Sequence, residues 1–240
     1  MLKLGVTGTD TGVGKTVVTA ALLALLQVRG VGRVSGMKPI ETGVVPGAPG
    51  PDATMLHSAS GGEDRIDDVG PLSFPAPLAP LVAAEVAGRR IDLDDLDGAF
   101  TRLCDERVAV VVEGAGGLLT PITRSLANVG LFRRWGLDLL IVAANWLGVL
   151  NHTQLTVRAA LAAGLRVRAV VLNDVPPAAE PLLRETNHRS LERLLPGIPV
   201  LRFPRLPHPG ALDALVGAAA TCELDLALGL DRPVLVSTRL

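Results

Sequence analysis

Residues 8 to 16 read Gly-Thr-Asp-Thr-Gly-Val-Gly-Lys-Thr, and each residue type there suits a polyphosphate. Glycines let successive backbone N–H groups converge on phosphate oxygens, Lys15 supplies a point charge for the β and γ phosphates, and the Thr16 hydroxyl can ligate Mg²⁺. A short apolar run, Leu2 to Val6, precedes the loop, and a helical stretch from Lys15 to Arg29 follows it. The positive end of that helix then points at the same anion. One detail departs from the usual spacing: position 9, where a glycine is expected, holds Thr9, and the glycine sits one earlier at Gly8.

Further chemistry stands at the ends of other apolar runs. Val110-Val111-Val112-Glu113-Gly114-Ala115-Gly116-Gly117 delivers one carboxylate to a strand end, followed by a glycine turn that keeps side chains clear of a ligand. Mg²⁺ takes oxygen ligands and keeps some waters, so Glu113 is a natural second ligand beside Thr16; an exposed acid at a strand end is the plainer alternative. Lys38, in Met37-Lys38-Pro39-Ile40-Glu41-Thr42-Gly43, can reach toward a γ-phosphate or can simply be solvated. Asp52 precedes a short helix and either caps it or supplies a third metal oxygen. Asn173-Asp174 is either a turn or an amide placed to pair with adenine N6 and N7. His152, near a strand end, is either a helix-start residue with Asn151 as cap or a ligand-contacting side chain, and no Ser/His/Asp arrangement is visible.

These residues need a scaffold that brings strand ends together. Candidate strands are 2–7, 33–38, 108–113, 137–143, 167–173 and 200–203; candidate helices are 15–29, 53–59, 80–87, 93–104, 125–135, 151–163 and 180–195. Several strands are near-continuous in Val, Ile and Leu, as strands covered on both faces must be. The alternation predicts an α/β fold: a mostly parallel, doubly wound sheet with helices on both faces and ligands outside the carboxyl ends of the strands. The first helix is apolar nearly all round and should be deeply packed. Gly30, Gly136 and Gly164 stand where helices should stop. Residues 44–51 form a Pro/Gly-rich loop, 61–77 read as a surface excursion, and the tail after Glu223 has no pattern.

Composition narrows the function. At 240 residues the chain suits one domain, and 48% hydrophobic with 20% charged residues argues against disorder. The net charge of −1 and the absence of Tyr leave neither an electrostatic footprint nor stacking platforms for nucleic acid. Cys104 and Cys222 lie too far apart in sequence for a metal motif and read as buried thiols of a cytoplasmic protein. There is no secretory pattern at the start, and no apolar run long enough for a bilayer.

Together the segments Val6–Thr11, Val13–Thr16, Lys38-Pro39 with Thr42-Gly43, Asp52-Ala53, Val112–Gly117, Asn151-His152 with Leu155-Thr156, and Asn173–Val175 resemble dethiobiotin synthetases, which have a single-domain P-loop NTPase fold. The resemblance covers most of the chain, to about Leu206. It implies ring closure of 7,8-diaminopelargonate with CO₂ and ATP, through a carbamate and a carbamic–phosphoric anhydride. It implies Lys38 and Lys15 as catalytic residues, and Thr16, Asp52 and Glu113 around Mg²⁺. Gly12, Val13, Gly14, Lys15, Thr16, Val17, Asp52, Glu113, Gly114, Ala115, Gly116, Asn173, Asp174, Pro204, Arg205 and Leu206 would surround the nucleotide. Thr11, Thr42, Leu150 and Asn151 would touch the diamine, the last two from the partner in a homodimer. The sequence departs from the family pattern at Gly12, where some members carry an acid, and at Leu78 and Ala79, where hydroxyl residues are common. A switch ATPase of the partition or division-placement type is the alternative. Its loop lysine is replaced here by Asp10, and no basic amphipathic tail is visible.

Overall fold

The computed structural model describes residues 1–175, 180–206, 208 and 210–229. Its centre is a six-stranded parallel sheet of β1 (Leu2–Gly8), β2 (Val34–Met37), β5 (Ala109–Gly117), β6 (Asp138–Ala144), β7 (Val167–Asn173) and β8 (Val200–Phe203), in the order β2-β5-β1-β6-β7-β8. Val110, Val111 and Val112 are all fully buried; since neighbouring side chains point to opposite faces, both faces are covered. The expected doubly wound sheet is therefore present, and β1 sits where the strand order reverses, the place where such sheets bind ligands.

The register puts the chemistry at one rim. Val6 pairs with Glu113, and Met37 pairs with Val112, so Lys38 emerges beside Glu113 and the phosphate loop emerges on its other side. In the same way Asn173 pairs with Ala144 and Phe203, which brings Pro204-Arg205-Leu206 next to Asn173-Asp174.

Helix α1 (Lys15–Val28) has ten buried residues of fourteen, in keeping with its all-round apolar sequence. Helices α2 (Pro51–Ala59), α9 (Leu212–Thr221) and α10 (Leu224–Ala227) pack against it. Elsewhere α5 (Leu93–Cys104) meets α6 (Asn128–Trp135) through Phe100 and Trp135, stacked at 4.5 Å, and α7 (Val149–Ala162) packs on α8 (Pro181–Leu194). Gly136 closes α6 in a left-handed conformation.

Several expectations about local structure are corrected. The stretch 61–77 is no loose excursion: it contains α3 (Ile66–Val69) and β4 (Leu72–Phe74), and β4 pairs in parallel with β3 (Ile40–Thr42). Strands of three residues are too short to show a period. The helix expected from Ser125 starts at Asn128, because the Thr123 hydroxyl accepts from the N–H groups of Ser125 and Leu126 and holds a turn there. The helix expected from Asn151 starts two residues earlier, with Gly148 as N-cap; Asn151 is an exposed residue of its first turn and caps nothing. Helix α2 begins at Pro51, at N1, where a missing N–H costs nothing. α4 (Pro80–Val86) matches expectation within a residue. α9 and α10 went unassigned in the sequence, and residues 230–240 of the tail lie outside the described residues. Both cysteines are free; burial pushes the Cys222 thiol up to about 11 and raises Cys104.

Candidate active site

The phosphate loop is held before any ligand arrives. Gly14, the N-cap of α1, is left-handed at φ 86°, and a Cβ there would stand 2.1 Å from Asn173 Nδ2. That close approach exists because the Asn173 amide donates to the Val13 carbonyl at 2.9 Å. Lys15 folds back so that Nζ donates to the Asp10 carbonyl at 3.1 Å. Asn128 fixes the glycine turn after Glu113 by donating to the carbonyls of Ala115 (2.7 Å) and Gly117 (2.8 Å).

Between these two turns lies a cavity of ≈ 450 Å³. Lys15, Thr16, Lys38, Asp52, Glu113 and Thr42 all line it. The two lysines thus converge on one site, as the sequence reading required. Lys38 is only 5% exposed and Glu113 0%, which removes both the solvated-lysine and the exposed-acid readings. Lys38 Nζ donates to Glu113 Oε1 at 2.5 Å and lies 2.7 Å from Asp52 Oδ2. The Asp52 side chain therefore does not cap α2; it reaches across to Lys38. Thr16 Oγ1 also donates to Glu113 Oε1, at 2.9 Å.

Charge is arranged unevenly. Burial opposes the Lys38 ammonium, but Glu113 and Asp52 outweigh it and hold this lysine above its ordinary range. Burial pushes Lys15 down to about 8, only partly countered by Glu113, with Lys38 adding repulsion. One lysine is charged by its neighbours, while the other waits for an anion.

The residues also fit Mg²⁺. Glu113 Oε2 is buried and accepts no hydrogen bond, an arrangement a hard cation would satisfy. The Thr16 hydroxyl and the Asp52 carboxylate line the same cavity as Glu113, so these three side chains offer oxygens to such an ion. No group of three or more His, Cys, Asp or Glu residues with metal-binding geometry occurs among the described residues; sparse protein ligation suits an ion that keeps waters and phosphate oxygens.

The other expected residues divide in two. Gly12, Val17, Ala115, Gly116 and Thr11 line the cavity, and Val13 and Gly114 are buried in the turns behind it. Asn173 commits one amide N–H to the loop, a structural tie in addition to the turn or base-reading roles expected of it. Asp174 accepts from Asn145 (3.0 Å) and Arg184 (2.9 Å). Pro204, Arg205 and Leu206 follow β8 beside this pair, as the register dictates. Leu150 and Asn151, on the first turn of α7, do not line the cavity. Glu41 was passed over in the sequence; it is buried and lines the cavity.

A parallel sheet with a glycine-rich loop, a lysine and a threonine at the start of α1 defines a P-loop nucleotide-binding protein. Residues 3–213 match an AAA domain family. The solved structures it resembles share the fold alone: septum-site protein MinD from Pyrococcus horikoshii complexed with Mg-ADP (TM-score 0.54, 15% identity, 100% of this chain and 99% of that one) and a ParA family ATPase from Chlorobium tepidum (TM-score 0.53, 15% identity, 95% and 97%). Sequence relatives are far nearer. ATP-dependent dethiobiotin synthetases BioD from Anaeromyxobacter dehalogenans strain 2CP-C, Aquifex aeolicus and Bacillus subtilis are 42%, 37% and 34% identical, covering 93%, 85% and 82% of this chain and 99%, 90% and 84% of theirs. The chain belongs to the dethiobiotin synthetase family.

Proposed function

We propose that this protein is an ATP-dependent dethiobiotin synthase, which carboxylates 7,8-diaminopelargonate with CO₂ and closes the ureido ring in biotin synthesis. The observation that carries the reading is the meeting of Lys15, Lys38, Thr16, Asp52 and Glu113 on one cavity. One amine of the diamine adds to CO₂ and loses a proton, giving a carbamate. A carbamate oxygen attacks the γ-phosphorus of ATP and ADP leaves, giving the mixed anhydride. The second amine attacks the carbamoyl carbon and loses a proton, the ring closes, and phosphate leaves.

Such a sequence needs charge and positioning more than a nucleophile. Lys38, held charged by two carboxylates, cannot serve as a base; it presents fixed positive charge to the carbamate and the transferring phosphoryl group. Lys15 becomes fully charged once the triphosphate lies against it. Thr16, Asp52 and Glu113 would hold Mg²⁺, which when bound neutralises phosphate charge. Thr11 and Thr42 contact the diamine; Asn173, Asp174 and the 204–206 segment frame the nucleotide base.

The active form is a homodimer in which the partner's copy of the α7 N-terminus completes the diamine site. Supporting this, Leu119, Leu147 and Leu155 are 64%, 83% and 59% exposed, and Leu119 and Leu155 line one cavity together with Thr11. The setting is the cytoplasm, with small molecules as the only substrates; no helix among the described residues is long and apolar enough to cross a membrane. The test is ADP release with ATP, Mg²⁺, bicarbonate and diaminopelargonate. Release that requires the diamine is expected; release indifferent to it would return the protein to the switch-ATPase class.

A further inference from the structure

Helix α2 lacks a cap of its own. Its N-cap, Gly50, has no side chain, and Pro51 at N1 has no N–H. The first free donors are the N–H groups of Asp52 and Ala53, and one distant carboxylate takes both. Glu41, on β3, accepts from Asp52 N at 2.8 Å through Oε1 and from Ala53 N at 3.0 Å through Oε2. The side chain is buried. Gly50 is what lets it in: a Cβ at that position would lie 2.0 Å from Glu41 Oε2 and 2.4 Å from its Cδ. The loop between, residues 43–50, is otherwise tied by few main-chain bonds, Val44 N to Phe74 O and Ala48 N to Val45 O among them.

Two walls of the cavity meet at this carboxylate. On one side, Thr42 follows Glu41 directly in β3. On the other, Asp52 sits in the turn that Glu41 caps and reaches Lys38 with its own side chain. A cap that slackens lets the first turn of α2 fray, and Asp52 moves with it.

We infer that Glu41 is a positioning residue of the proposed reaction: by capping α2 from β3 it holds Asp52 against Lys38 and in place for the metal. The kinetic part rests on the dethiobiotin synthase assignment; the structural part does not.

The experiment combines Glu41→Ala, Glu41→Gln, Gly50→Ala and Asp52→Ala with the double variant E41A/D52A. Glu41→Ala is expected to lower kcat at least tenfold, to raise the Mg²⁺ concentration for half-maximal rate several-fold, and to speed amide exchange at Asp52 and Ala53 at least tenfold. Glu41→Gln, which keeps one acceptor oxygen, should recover part of each loss. Gly50→Ala should reproduce them with Glu41 and Asp52 both intact, and it keeps the test open where Glu41→Ala does not fold. Since Glu41 acts through Asp52, E41A/D52A should be no slower than D52A within twofold. Multiplying losses in the double variant, or an unchanged Mg²⁺ midpoint in Glu41→Ala and Gly50→Ala, would overturn the inference. A wild-type protein without diamine-dependent turnover would sink the assignment instead, and amide exchange and Mg²⁺-dependent ATP binding would still decide whether Glu41 places Asp52.

Discussion

Lys15 gives the sharpest test of how the empty site differs from the filled one. Burial depresses it from 10.5 to about 8, a gap of roughly 3 kcal/mol between charged and neutral forms. A triphosphate restores the charge, so binding between pH 8 and 10.5 must take up a proton. About nine-tenths of the free protein carries the ammonium at pH 7 and about one-tenth at pH 9. ATP affinity should therefore fall about tenfold over that interval, or about 1.4 kcal/mol. The terminal phosphate, with a second pKa near ~6, is already ionised there and does not mask the trend. Isothermal titration of ATP with Mg²⁺ at pH 7, 8 and 9 reads it directly. At pH 9 the heat should also depend on the buffer's ionisation enthalpy, in proportion to about 0.9 proton taken up. Lys15→Arg, whose guanidinium does not titrate, should flatten the slope. The sign for the unliganded fold follows: the unfolded chain binds more protons between about 8 and 10.5, so this group makes stability rise with pH across that window. Affinity constant within twofold from pH 7 to 9, with no buffer-dependent heat, would refute the reasoning.

Lys38→Met should cut turnover at least ~100-fold while ATP still binds. It strands Glu113 and Asp52, at a cost of about 3–5 kcal/mol, so the melting temperature should drop by about 10 °C and recover in part with Mg²⁺; equal loss of binding and turnover would refute the assignment. Asn173→Ala removes the tie to Val13, worth about 1 kcal/mol, and should weaken all nucleoside triphosphates by about fivefold, with a further loss for ATP from the base contact; unchanged binding of every triphosphate would refute both roles. Leu155→Asp should give a monomer by analytical ultracentrifugation and lose diamine-dependent turnover, and a dimer of full activity would move the interface elsewhere.

The main sheet and the long helices could be read in sequence because buried parallel strands are long apolar runs and their helices carry a full period. Lys15, Thr16 and Glu113 could be read because local geometry forces their types: a nest of backbone N–H groups and a strand end need no distant partner. What escaped was short or non-local. β3 and β4 have three residues each. Asp52 looked like a cap because its own neighbourhood offers that role, and the residue that takes the role, Glu41, lies eleven positions away. The tie from Asn173 to Val13 could not be read either, since nothing near Asn173 in sequence points to a residue 160 positions earlier.

The amino-acid order alone pointed to a polyphosphate site at residues 8–16, to parallel strands behind it, and to lysine and carboxylate side chains at their ends. Folding decided which of those side chains touch. The pairing of Met37 with Val112 and Val6 with Glu113 sets Lys38 between two carboxylates and leaves the burial of Lys15 only partly compensated, so two lysines of one type acquire opposite shifts. Charge in a buried site depends on distance and exposure to water, and both come from strands that are far apart in the chain.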